Sequence, residues 1–183
     1  MSSSTAPAAT PKIGVLLINL GTPDAPDAPS VRRYLKEFLS DQRVVELPKI
    51  LWQPILQGII LNTRPKKSAA AYSLVWTEQG SPLAAITQRQ SSELQALLAG
   101  EAQVKYAMRY GNPSIPSQID ALMAEGCDRI LIAPLYPQYS GATTATVVDA
   151  VGRHLASLRA QPSIRYLPPY YAAPAHIAAL SDN

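Results

Sequence analysis

Arg129-Ile130-Leu131-Ile132-Ala133 runs straight into Pro134-Leu135-Tyr136-Pro137-Gln138-Tyr139-Ser140-Gly141-Ala142-Thr143-Thr144, and this junction decides the architecture. Aliphatic residues without polar alternation, broken at a proline, describe an interior parallel strand arriving at its carboxyl end. The loop beyond it carries tyrosines, a glutamine, a serine and threonines, a polar inventory too particular for a plain turn. In open α/β sheets ligands settle in the crevice outside the carboxyl ends of the strands. The loop is therefore a candidate binding element as well as a connection.

Working outward, strands and helices alternate. Ile13-Gly14-Val15-Leu16-Leu17-Ile18 is a short apolar strand, and residues 104–108 read as a second. Between them, Val31 to Leu39 shows apolar residues at helical spacing with Ser30 as the expected N-cap. Ser81-Pro82 pairs an N-cap residue with proline at the first helical position, and Gly100 closes that helix. Ile115, Ile119, Leu122 and Met123 share one helical face, ended by Gly126. After the 129–133 strand, a helix is expected to carry Val148, Val151, Leu155 and Leu158 on one stripe. Residues 163–166 form a shorter fourth strand, and a further helix starts at Pro174. Strands separated by helices need crossover connections, which make a parallel sheet. The fold class is α/β: a four-stranded parallel sheet flanked by helices on both faces.

Composition sets bounds on function. A chain of 183 residues, 47% hydrophobic, can bury one substantial core. A net charge of +3 without a run of basic residues interleaved with aromatics gives no basis for nucleic-acid binding. The single cysteine, Cys127, cannot build a disulfide framework or a four-thiolate iron–sulfur cluster within the chain, and reads as a small buried hydrophobe. Residues 1–11 are Ser, Thr, Ala and Pro around the initial Met, with neither the charge nor the apolar core of a targeting signal. They read as a disordered leader, with the domain over 12–183, and the location expected is cytoplasmic. Gly21-Thr22-Pro23-Asp24 fits neither a dinucleotide fingerprint nor a P-loop, and its proline removes an amide that would cradle phosphate.

The Tyr-Pro-Gln-Tyr-Ser-x-x-Thr-Thr loop resembles ferrochelatase, the enzyme that inserts ferrous iron into a porphyrin. Other blocks follow in that family's order: Ile18-Asn19-Leu20-Gly21-Thr22-Pro23, then Tyr34-Leu35-x-x-Phe38-Leu39-x-Asp41-x-Arg43-Val44, then Tyr72, Gly80-Ser81-Pro82-Leu83 and Met108-Arg109-Tyr110-Gly111. The resemblance implies the first of two similar chelatase-like domains, with the second domain expected as the partner that is missing here. It implies ferrous iron and protoporphyrin IX as substrates and protohaem as product, with no cofactor resident in this segment. The family's proton-accepting histidine, in a Ser-Phe-His-Gly-like segment, and its glutamate belong to the second half, and neither motif occurs in this sequence. No catalytic or metal-ligating residue is assigned here; His154 and His176 read as surface or structural.

By resemblance, Leu20 lies against the macrocycle, Arg109 and Tyr110 point to the metal side, and Tyr139 and Ser140 belong to the crevice at the third strand. Arg64, Lys66, Tyr72 and Ser81 stand on the propionate side. Each has a plainer alternative. Arg109 also fits a strand-end ion pair, Tyr110 and Tyr139 fit half-buried packing, Leu20 fits ordinary core, and Ser81 fits a helix cap. The apolar segment 47–61 is too short and too broken by proline to span a bilayer. The residues alone fit a core helix, a lip over the porphyrin or shallow contact with a membrane surface; the resemblance, which implies an apolar lip there, puts the lip first and the membrane contact second. Two other functions remain open: a chelatase for another tetrapyrrole or metal, and a stand-alone porphyrin-binding domain.

Overall fold

The computed structural model describes residues 12–182; the expected leader, 1–11, lies outside them. The elements run β1 (Lys12–Thr22), α1 (Ala28–Ser40), α2 (Lys49–Ile55), a π-helical turn (Leu56–Ile60), α3 (Leu61–Val75), α4 (Pro82–Leu97), β2 (Ala102–Gly111), α5 (Ile115–Ala124), β3 (Cys127–Pro134), α6 (Thr144–Ser157), β4 (Ser163–Tyr166) and α7 (Pro174–Ser181). The strands form one parallel sheet in the order β2-β1-β3-β4. This is the expected fold class.

Side-chain alternation splits the core into two layers. Leu16 and Ile18 of β1, Ala107 of β2 and Ile130 and Ile132 of β3 pack with Ile115, Ile119 and Leu122 of α5 and with Val147 and Val151 of α6. On the opposite face Val15, Leu17, Ala102 and Ala133 meet Leu94 and Leu98 at the end of α4. Helices therefore cover both faces, as a parallel sheet requires. Cys127 is buried in the first layer.

Three local expectations need correction. The N-cap of α1 is Asp27, whose carboxylate accepts the Ser30 amide at 2.7 Å, and Ser30 lies inside the first turn. Pro29 suits an early helical position, which moves the helix start upstream of Ser30. Ser81 does occupy the N-cap position of α4, but its side chain makes no capping bond. The stripe on α6 keeps Val151 and Leu155 but takes Val147 in place of Val148, which is 38% exposed, and Leu158 lies just past the helix end. Apolar residues at adjacent positions leave two possible helical phases, and only contact with the sheet selects one. Val151→Ala should cost about 2 kcal/mol and Val148→Ala less than about 0.5 kcal/mol in urea denaturation.

β1 is longer than its apolar run suggests. It continues through Asn19 because the Asn19 amide donates to Thr87 Oγ1 on α4 at 3.0 Å, while its carbonyl oxygen accepts the Leu20 amide at 2.8 Å. A polar side chain satisfied in this way can stay in an interior strand.

The 47–61 segment divides by side. Leu56 and Leu61 are buried, and Trp52 Nε1 donates to the Leu39 carbonyl of α1 at 2.7 Å. Ile50 and Leu51, 88% and 63% exposed, point outward with Ile55 and Ile59. A core helix does not account for that outer row. Pro54 withholds an amide just before the π turn, and Asn62 Nδ2 donates to the carbonyls of Gln57 and Gly58 at 3.1 and 2.9 Å.

Candidate functional site

The carboxyl ends of the parallel strands gather most of the expected residues. Leu20 sits half-buried near the end of β1, and the β1–β2 register sets it beside Arg109, since Asn19 pairs with Met108 and Gly21 with Tyr110. Tyr139 and Ser140 lie in the loop after β3. That loop is held at its base: Leu135 N donates to the Ile18 carbonyl at 2.8 Å, and the amides of Tyr170 and Tyr171 both donate to the Pro137 carbonyl at 3.0 Å. Ser140 Oγ lies 2.7 Å from Thr143 Oγ1, at the start of α6. Tyr139 is 62% exposed, so its ring is available to a ligand and adds little to the core.

Arg109 and Tyr110 are bound to a residue that the sequence reading left unassigned. Asp41, immediately after α1, accepts from an Arg109 terminal nitrogen in a buried ion pair and from the Tyr110 hydroxyl at 3.0 Å. Arg109 Nε donates to the Thr146 carbonyl at 2.8 Å, and the guanidinium lies 4.2 Å from the Tyr110 ring centroid. Arg109 is thus 8% exposed and makes the strand-end ion pair that was its plainer alternative. Burial pushes the Tyr110 phenol up to about 12; Arg109 opposes that shift and Asp41 reinforces it. The phenol stays protonated at neutral pH and donates.

An aromatic series continues from here. Phe38 meets Tyr110 edge-on at 5.1 Å, and Tyr34 stacks on Phe38 at 6.0 Å. Tyr72 on α3 stands near Tyr34, whose phenol is raised well above its ordinary value by burial first and by Tyr72 second. Tyr72 itself meets Trp76 edge-on at 6.2 Å.

The two basic residues expected on the propionate side stand on different faces of one helix. Arg64 and Lys66 are both exposed on α3, and residues two apart lie roughly 200° around a helix from each other. Arg64 shares its face with Lys67 instead. Ser81 is buried at the start of α4.

Two hydroxyls missed as site candidates stand out. Thr22 Oγ1, at the end of β1, and the Tyr136 hydroxyl, just after β3, are buried without a hydrogen-bond partner among the described residues. Burial also raises the Tyr136 phenol far above its ordinary value. The signal for Tyr136 was present, since it stands two residues past the strand-ending proline. The signal for Asp41 was a charge at the end of an amphipathic helix.

His154 Nε2 lies 2.8 Å from Asp120, joining α6 to α5, and His176 meets Tyr170 edge-on at 5.4 Å. His154 ties two helices together, and among the described residues His176 makes a ring contact only. Among the described residues no group of three or more His, Cys, Asp or Glu is placed to hold a metal ion. No helix there is long and apolar enough to cross a membrane.

Arg43 and Asp149 clamp the loop after α1 onto α6 with contacts of 2.5 and 3.1 Å. The bond from Arg43 lowers the Asp149 carboxyl below its ordinary 3.8. A depressed folded value means stability that is present above the unfolded value and lost as pH falls through the folded one. Asp27, lowered by its bond to the Ser30 amide, acts with the same sign. The urea midpoint should fall as pH is taken below about 4, and Asp149→Asn should flatten part of that slope.

The ferrochelatase family profile matches residues 12–183. The chain belongs to the ferrochelatase family. It is 58% identical over 178 residues to a ferrochelatase of a Bradyrhizobium strain, covering 95% of this chain and 51% of that relative. Identity to the ferrochelatase of Bordetella pertussis is 54% over 171 residues, covering 92% of this chain and 47% of the other. With the ferrochelatase of Mesorhizobium japonicum it is 51% over 187 residues, covering all of this chain and 53% of the other. The chain spans about half the length of the curated relatives it matches. Thr22, Arg109 and Tyr110 lie at the strand ends of this sheet and Tyr136 in the loop just beyond β3.

Proposed function

We propose that this chain supplies the porphyrin-holding wall of a ferrochelatase, which inserts ferrous iron into protoporphyrin IX and releases protohaem and two protons. The observation that carries this reading is the convergence of Leu20, Arg109, Tyr110 and Tyr136 at the carboxyl ends of β1, β2 and β3. A porphyrin presents a broad apolar face and two propionates. It suits a site of aliphatic and aromatic surface with a few hydroxyls and cations.

In this reading Leu20 and Tyr139 meet the macrocycle, Tyr136 and Ser140 offer hydroxyls at its edge, and Arg109 with Tyr110 faces the metal side. Lys66, Arg64, Tyr72 and Ser81 serve the propionates, with Lys66 and Arg64 acting from separate faces of α3. A rigid wall of this kind favours a bent ring over a flat one, and bending exposes the pyrrole nitrogens to iron. The two pyrrole protons pass to a base outside this chain, because the family's proton-accepting histidine and glutamate motifs do not occur in it. The remaining half of a ferrochelatase-length protein closes the pocket and contributes that base. This half holds no cofactor of its own. The outer row Ile50, Leu51, Ile55 and Ile59 fits a lip over the porphyrin; shallow contact with lipid is the second use for it. The protein works in the cytoplasm.

Absorbance titration of protoporphyrin IX tests the reading. The chain should shift and sharpen the Soret band, and should not insert ferrous iron anaerobically. Lys66→Ala should weaken binding by up to roughly tenfold, since a charge-assisted bond is worth about 1.5–3 kcal/mol before solvent reduces it. An unshifted Soret band, or turnover matching a full-length ferrochelatase, overturns the assignment.

A further inference from the structure

We propose that Asp41 is a positioning residue of the porphyrin site, setting the direction of the Arg109 guanidinium and the Tyr110 phenol. The inference rests on the porphyrin-wall reading above and assigns a part to a residue that touches neither porphyrin nor iron in that reading.

Both carboxylate oxygens of Asp41 are committed. Oδ2 takes the Arg109 terminal nitrogen and the Tyr110 hydroxyl, and Oδ1 takes the Arg43 amide at 2.9 Å. Asp41 itself is located by α1, which is fixed by Phe38 against Tyr110, by Trp52 on the Leu39 carbonyl, and by Arg32 Nε on the Leu61 carbonyl at 3.0 Å. The position of α1 is thus transmitted through one carboxylate to two adjacent side chains at the end of β2. Without it Arg109 keeps only Thr146 and the Tyr110 ring, so one edge of its fork is free to swing, and the buried phenol loses its carboxylate acceptor and keeps only the Thr146 side chain. Asparagine keeps the shape but provides one accepting oxygen and no charge, whereas a guanidinium is held best by a full carboxylate.

The test uses Asp41→Asn, Arg109→Gln, the double variant and Val151→Ala, each titrated with protoporphyrin IX and unfolded in urea. Asp41→Asn should weaken binding about tenfold and merge the resolved Nη resonances of Arg109, while amides remote from the site keep their shifts. Removing both charges relieves the unpaired one, so the double variant should regain stability over either single variant and still bind weakly. Val151→Ala should lose stability and bind normally. Binding that recovers along with stability in the double variant, or that falls equally in Val151→Ala, reduces Asp41 to a structural part and overturns the proposal. Unchanged binding in Asp41→Asn overturns it as well. Failure of the unsubstituted chain to bind is a separate result: it removes the porphyrin reading, and this inference with it.

Discussion

Arg109→Leu is expected to destabilise the chain by about 3–5 kcal/mol. Leucine fills much of the same space, but it strands the Asp41 carboxylate in a site where that side chain is only 14% exposed. The Thr146 carbonyl loses its donor at the same time. Breaking a buried pair from one side is costly because the surviving charge keeps its desolvation penalty. Total stabilities of single domains are about 5–15 kcal/mol, so the substitution takes a large share of the whole. The measurement is the urea midpoint with an unchanged slope. A loss below about 1 kcal/mol would show that the pair is solvated and that Arg109 is free for another role. Kinetic study of Arg109 in a complete enzyme must therefore separate lost fold from lost chemistry; Arg109→Lys, which keeps the charge without the planar fork, is the milder probe.

Gly21→Ala should destabilise by about 3 kcal/mol or more, combining a disfavoured backbone region with overpacking. Gly21 has φ +109°, and a Cβ placed there would stand 1.8 Å from the Tyr110 carbonyl oxygen. The obstruction is backbone, not a side chain that can rotate away, so β1 and β2 would have to part at the site's floor. Porphyrin binding should be lost in parallel. Gly80→Ala is the comparison: its φ is +92°, but nothing lies within 4 Å of the added carbon, so it carries backbone strain alone. Equal losses in the two variants would mean that the β1–β2 contact contributes nothing.

Much of the architecture was legible because hydrophobic period is a local property. The unbroken aliphatic run before Pro134 became β3, and residues 163–166 became β4 with the expected bounds. Crossover helices of the anticipated lengths then left a parallel sheet as the consistent outcome. The family blocks were legible for a different reason: each is a contiguous string, and the strings fall in order.

The errors share a cause. Ser30 and Asp27 both have capping side chains three residues apart, and Val147 and Val148 are both apolar neighbours on one helix. In each case the sequence admits two phases that differ little in intrinsic preference; Pro29 early in α1 favours the Asp27 cap, and contact with the sheet selects Val147.

By itself, the sequence determined the α/β class, the four strands in chain order, the helices α1, α4, α5, α6 and α7, the family blocks and the loop beyond Pro134, all of which depend on residues near one another along the chain; the helix α3 over Leu61–Val75 had no such local signal. Only the tertiary structure decided that Asp41 meets Arg109 and Tyr110, 68 and 69 positions away, that Tyr136 and Thr22 bury hydroxyls without partners among the described residues, and that Gly21 has no room for a methyl group. Those facts depend on where β1, β2 and the end of α1 come to rest against one another. Chain folding creates that proximity, and no short window of residues contains it.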